Sequence, residues 1–180
     1  MDWNADMLLG QSHHRQGAIV PPTDHSLALP EIYLHAGQTH ASPEPMILSM
    51  ILGSCVGVCL FEQQMAIGGA THFMLPLWSG DGQRTSRYGD IAIAALIEQL
   101  NSLGCKTANL KAKIFGGACM FQSLREKGGD HIGSRNATIA LEILARHSIP
   151  VFANDTGGES GRKVRMWTNS GETTVVVVGN

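Results

Sequence analysis

The chain has 180 residues, 43% of them hydrophobic, and its 13 basic and 15 acidic side chains give a formal net charge of −2. A length of this order makes one ordinary domain whose core needs no disulfide staples. The near-balanced charge leaves no electrostatic footprint for nucleic acid or an anionic membrane surface, so the expected partner is a protein or a small molecule.

Residues 1–30 differ from the rest, with Pro21, Pro22, Pro30 and the polar cluster around His13, His14 and His25. They read as a mobile N-terminal extension, and residues 31–180 as the folded domain. Asp2 and Asp6 stand where a secretory signal carries positive charge, so Cys55, Cys59, Cys105 and Cys119 are expected as reduced thiols in a cytoplasm. A first strand and turn fall within residues 32–42. Residues 46–61 are nearly all apolar, but the run is shorter than the ~20 residues of a spanning helix, and Ser49, Gly53, Ser54 and Gly57 interrupt it. Two buried strands account for it, and no direct membrane insertion is expected. Apolar runs at 56–61 and 66–75, either side of Glu62-Gln63-Gln64, predict a hairpin. A turn centred between Gln63 and Gln64 sets Cys55 directly opposite His72.

Beyond Pro76 a polar loop, 79–88, precedes a helix over 90–103, with Asp90 as N-cap, Ile93, Leu96, Ile97 and Leu100 on one face, and Gly104 as the stop. A second helix is predicted over 136–147, with Ala137, Ala140, Leu141 and Leu144 inward. Strand-like runs occupy 111–115, 151–154, 163–168 and 173–178. The order predicts an α+β layered domain, with mixed or antiparallel sheets flanked by two helices.

Opposed residues of an antiparallel pair hold their Cβ atoms roughly 4.5–5.5 Å apart, so Cys55 and His72 in this register make a nucleophile and its base. A free thiol has a pKa of about 8.5, which a neighbouring imidazolium lowers. Gly53, Ser54 and Gly57 leave room for substrate, and free amides near Ser54 and Cys55 suit an oxyanion. The competing reading is that Cys55 is one more buried core cysteine. Gly116-Gly117-Ala118 and Thr156-Gly157-Gly158 lack the lysine and hydroxyl of a phosphate loop and the spacing of a dinucleotide fingerprint, so they read as tight turns or points of close backbone approach to substrate. Neither Cys55, Cys59 and His72 nor His13-His14 has the surroundings of a zinc site, and no metal or cofactor is expected. His131 and His147 read as surface; Cys59, Cys105 and Cys119 read as packing residues. Met120 and Phe121, following two glycines, are candidate anchors for a docking partner.

Leu52-Gly53-Ser54-Cys55-Val56, Gly68-Gly69-Ala70-Thr71-His72-Phe73-Met74-Leu75-Pro76, Ala112-Lys113-Ile114-Phe115-Gly116-Gly117-Ala118, Ile132-Gly133-Ser134-Arg135-Asn136 and Asp155-Thr156-Gly157-Gly158 with Gly161-Arg162 together resemble the CheD family of chemoreceptor glutamine deamidases. The blocks stand in the family's order and span residues 32–178. The resemblance implies hydrolysis of chosen glutamine side chains on methyl-accepting chemotaxis receptors through a thioester on Cys55, with His72 as base and acid. It also implies receptor glutamate methyl esters as a second substrate and, in some members, a CheC-type phosphatase partner. The family carries a threonine six residues before its cysteine, where the hydroxyl helps hold the histidine; this chain has Ser49 there, which keeps the hydroxyl and loses the methyl. Rival readings are a cysteine peptidase or transglutaminase, which share the acyl-thioester, and a chemotaxis binding module in which Cys55 is incidental.

Overall fold

The structure, a computed structural model, describes residues 29–119 and 131–178. The extension up to residue 28 and the docking candidates Met120 and Phe121 lie outside the described residues.

Among the described residues nine strands and two α-helices follow in the order β1 (Glu31–Tyr33), β2 (Gln38–Ser42), β3 (Ile47–Leu52), β4 (Val56–Glu62), β5 (Ile67–Phe73), α1 (Gly89–Ser102), β6 (Leu110–Gly116), α2 (Ile132–Arg146), β7 (Val151–Thr156), β8 (Gly161–Trp167) and β9 (Thr173–Val178). They form a central sheet, β2-β5-β4-β6-β7, and an outer sheet, β1-β3-β8-β9. Each sheet holds one parallel pair, β6–β7 and β1–β3 respectively, among antiparallel ones. The expected α+β architecture with mixed sheets and two helices is what the chain adopts.

Every residue of β4 and β5 is buried, because the central sheet is covered on both faces. On one side Ile93, Leu96 and Leu100 of α1 and Ala140, Ile143 and Leu144 of α2 pack on Val56, Val58, Leu60, Phe73 and Ile114. On the other, Leu48, Met50, Leu52, Val164 and Met166 of the outer sheet meet Cys59, Phe61, Ala70 and Phe115. Each such side chain contributes about 1.5–3 kcal/mol on full burial, so neither cover is dispensable. The helices leave the far face of the outer sheet open, where Tyr33, Ile51 and Val176 are exposed.

Several details refine the sequence reading. The run 32–42 is two strands in two different sheets. The two buried strands expected within 46–61 are present, β3 in the outer sheet and β4 in the central one. The β4–β5 hairpin pairs Glu62 with Ile67 and Gly57 with His72, so its turn is centred one residue later than expected. Glu62 is the last strand residue, its carboxylate accepting the Met65 N–H at 2.6 Å to close the turn, while Ala66 takes the positive φ of 55° there. Helix α2 starts four residues before the expected Asn136, because His131 caps it reciprocally with Ser134: Ser134 N–H donates to His131 Nδ1 at 3.2 Å and His131 N–H to Ser134 Oγ at 3.1 Å. His131 is therefore a capping residue rather than idle surface. In α1 the N-cap is Tyr88; Asp90 sits in the first turn, accepting from Trp78 N–H at 3.1 Å.

Candidate active site

Cys55 lies in the Gly53-Ser54-Cys55 loop that carries the chain from β3 in the outer sheet to β4 in the central one. All three of the loop's carbonyl groups are engaged. Gly53 accepts from Ala118 N–H at 2.8 Å, Cys55 accepts from Gly117 N–H at 2.8 Å, and Ser54 accepts from the side-chain Nδ2 of Asn136 at 3.0 Å. Gly116 and Gly117 have φ of 99° and 65°, which only glycine adopts freely, and a Cβ on Gly116 would run into the Cys55 carbonyl oxygen. The Gly116-Gly117-Ala118 motif is thus a turn that grips the backbone of the Cys55 loop. The turn is braced in its place: Gly157 N–H donates to Gly116 O and Cys119 N–H to Gly158 O, each at 2.9 Å. Arg162 in turn fixes that second glycine loop through Asp155 Oδ1 at 2.9 Å, Gly157 O at 2.9 Å and Ser160 O at 3.2 Å.

His72 sits on β5 with its ring between the two sheets, 4% exposed. Its Nδ1 donates to the Leu34 carbonyl at 2.9 Å, which leaves Nε2 unprotonated; that atom is buried and has no hydrogen-bond partner. Gly57, not Cys55, is the register partner of His72. Cys55 packs against the same inter-sheet core, two positions along, so the pair is diagonal. Diagonal neighbours lie roughly 7–8 Å apart, and the thiol and Nε2 are not hydrogen-bonded in this state. Gly57 keeps the sheets close: a Cβ there would meet Met50 Sδ at 2.5 Å.

The resting electrostatics differ from the acidified thiol that the sequence suggested. Burial pushes the Cys55 thiol up, with its own backbone N–H opposing. Burial pushes His72 down, against the Leu34 carbonyl and with a smaller push from His35. The site rests as neutral thiol and neutral imidazole, with Nε2 as a base awaiting a proton.

Ser49 does not hold the histidine through its hydroxyl. Along β3, Leu48, Met50 and Leu52 face the inter-sheet core, so Ser49 faces the other way. Its hydroxyl bonds Glu31 and, ahead of the Arg165 guanidinium 2.8 Å away, holds that carboxyl below its usual range. What Ser49 supplies to His72 comes from its main chain: its carbonyl accepts from Leu34 N–H at 2.8 Å, and Leu34 O in turn holds the ring.

Cys59, Cys105 and Cys119 are buried and form no disulfide, and burial carries the Cys59 thiol up to about 12. His147 is exposed at the end of α2. Among the described residues no group of three or more His, Cys, Asp or Glu side chains is arranged to hold a metal. A thiol, an unprotonated imidazole a diagonal step away, and a loop whose Ser54 and Cys55 amides donate to no backbone carbonyl among the described residues make a set suited to acyl transfer. Asn136, which reaches the nucleophile loop from α2, was missed in the sequence because nothing local distinguishes a buried asparagine in a first helical turn.

A sequence model of the family described as CheD, chemotactic sensory transduction, matches residues 74–176; Cys55 and His72 stand just before that span. The chain is 40% identical over 139 residues to the "Probable chemoreceptor glutamine deamidase CheD" of Sulfurimonas denitrificans, covering 77% of this chain and 88% of that one. It is 42% identical over 147 residues to the protein of the same name from Trichlorobacter lovleyi, covering 82% and 88%. Among solved structures it is similar to the Bacillus licheniformis hypothetical protein YfiH, with a TM-score of 0.44 and 13% identity over 67% of this chain and 51% of that one; a likeness at that level carries no functional weight.

Proposed function

This chain belongs to the CheD family, and from that premise we propose that it is a chemoreceptor glutamine deamidase working through Cys55 and His72. The Cys55 sulfur attacks the side-chain carbonyl carbon of a receptor glutamine while His72 Nε2 takes the thiol proton. The oxyanion is met by the N–H groups of Ser54 and Cys55, with Gly53 giving the substrate room. His72 returns the proton to the nitrogen, the C–N bond breaks, ammonia leaves and a thioester remains. A water molecule, giving up a proton to the same Nε2, attacks the thioester; glutamate departs and the thiol is restored. A glutamate methyl ester, losing methanol in place of ammonia, fits the same steps.

The observation that carries this reading is the state of His72: one nitrogen anchored to Leu34, the other buried, unpartnered and on the same face as Cys55. A structural histidine in a core satisfies both nitrogens where it can. Ser49 supports the ring through Leu34 rather than by touching it. The reading makes residues 31–180 the catalytic domain and gives residues 1–30 no part in the chemistry. It sets the protein to work in the cytoplasm on the receptors' signalling region. Among the described residues no helix is long and apolar enough to cross a membrane. A CheC-type phosphatase would compete for the receptor-binding face, to which Met120 and Phe121 are assigned.

The test is intact-mass spectrometry of a receptor cytoplasmic fragment, reading the small gain that accompanies exchange of an amide for a carboxylic acid. Wild type is expected to shift the mass, and Cys55→Ala and His72→Ala to leave it unchanged. Wild-type turnover in either variant would sink the assignment.

A further inference from the structure

The side chain of Asn136 is fully buried, and its two N–H groups go to two carbonyls from different parts of the chain: Ser54 O and Met74 O, each at 3.0 Å. This pairing fixes the orientation of the amide, since turning it over would set its oxygen against two acceptors. The oxygen is then left buried with no partner. An asparagine held at that cost does more than fill space, because its two N–H groups satisfy two carbonyls that an apolar side chain of similar volume would leave unpaired.

What the side chain controls follows from the peptide it grips. The Ser54–Cys55 peptide is trans, so its C=O and N–H point in opposite directions. Fixing the Ser54 carbonyl toward α2 turns the Cys55 N–H away from α2. The flanking peptides are held in the same manner by Ala118 and Gly117, which turns the Ser54 N–H outward too. Among the described residues neither of these amides donates to another backbone group. The two backbone grips come from one turn, while the third comes from the fifth residue of a helix whose start is locked by His131 and Ser134. The second bond, to Met74 O, ties the grip to the segment that leaves β5 directly after His72 and Phe73.

We propose that Asn136 is a positioning residue for the reaction: it holds the Ser54–Cys55 peptide so that the Cys55 N–H is aimed at the oxyanion, and it ties the nucleophile loop to the chain just beyond His72. The proposal rests on the deamidase reading above. It predicts an effect on the step in which the oxyanion forms and none on the intrinsic access to the thiol.

The experiment compares wild type, Asn136→Ala and the volume-keeping Asn136→Leu. Deamidation of a receptor fragment is measured over a range of fragment concentrations to separate kcat from KM. The rate of Cys55 alkylation by iodoacetamide is measured alongside, as a displacement at carbon that forms no oxyanion. Both variants are expected to lose kcat by about 10- to 100-fold, the range for a misaimed oxyanion donor. KM should stay within about threefold and alkylation within about twofold, since neither depends on an oxyanion donor. A wild-type kcat in either folded variant overturns the proposal. So does a parallel fall of kcat and alkylation, which would mean that the loop had collapsed, or failure of both variants to fold, which would make Asn136 a structural residue. A wild-type protein that leaves the fragment unchanged would instead refute the deamidase reading itself.

Discussion

Gly133→Ala tests whether the nested backbone contacts around Cys55 matter. Gly133 is the second residue of α2, with an ordinary helical φ, and on helix propensity alone alanine gains about 1 kcal/mol there. The packing opposes this: an added Cβ would meet Gly117 O at 2.5 Å, Gly117 C at 2.7 Å and Ala118 O at 2.9 Å. All three are backbone atoms, so no side chain can swing aside. To reach ordinary contact, beginning at 3.4 Å, the turn must retreat from α2 by nearly 1 Å or the helix must move off it. Either motion strains the bonds from Gly117 and Ala118 to the nucleophile loop, worth about 1 kcal/mol each, on top of about 1–3 kcal/mol for overpacking. The net loss is about 2–4 kcal/mol, or a fall in Tm of roughly 4–16 °C for a chain of this length. Misplacing the nucleophile by that distance should cost turnover about 100-fold. A thermal melt and the receptor mass-shift assay read the two effects. A Gly133→Ala protein with the melting temperature and turnover of wild type would refute the argument that α2, the glycine turn and the Cys55 loop are packed as one unit.

Iodoacetamide should modify Cys55 ahead of the buried Cys59, Cys105 and Cys119, and its rate in the free enzyme should keep climbing past pH 9, because burial holds this thiol above its ordinary value of 9.0; a rate that levels off below pH 8 would point to a preformed thiolate. His72 gives a pH dependence of opposite origin. Its folded pKa lies below the ordinary 6.5, so under that pH the unfolded chain binds the proton first and stability falls with acid through the window down to the folded pKa. His72→Gln should flatten that part of a Tm-against-pH curve, and an unchanged curve would mean that the ring is not held neutral. Ser49→Ala should keep turnover within about twofold of wild type, because its hydroxyl serves the exposed Glu31 rather than His72; a loss of turnover comparable to that of His72→Ala would restore a catalytic hydroxyl.

The strands and α1 were legible because apolar periodicity and glycine stops are local signals, and Cys55 and His72 stood out because few residue types can do their chemistry. Much of what escaped the sequence depends on contacts at long range, and the rest on unusual local chemistry. The partition of β3 and β4 between two sheets is set by which side of each strand finds a cover, and two adjacent buried strands look alike whether they pair or stack. The hairpin slipped because Glu62 resembles a turn residue yet ends a buried strand, its carboxylate spent on the turn. The α2 start was hidden by a histidine in a capping role usually read from serine, threonine or aspartate. Ser49 shows the limit of reading a role from position alone, since the alternation of a strand decides which sheet face its hydroxyl meets. Asn136 touches a loop 82 residues earlier, a distance over which no local pattern carries information.

The grip on the Cys55 loop also bears on when the enzyme becomes dangerous to its neighbours. The groups that hold the loop come from Gly117, Ala118 and Asn136, and the brace behind them from Gly157, Gly158 and Arg162. During synthesis the thiol and the imidazole leave the ribosome long before that last brace, and contacts so distant in the chain close late. On the proposed mechanism, a nascent or partly folded chain therefore carries an ordinary cysteine without oriented oxyanion donors, and hydrolytic competence should arrive only when the C-terminal third has docked. Turnover of a receptor fragment is in this sense a reporter of completed folding, more demanding than circular dichroism, and a pulse-refolding experiment should see secondary structure recover before deamidation does.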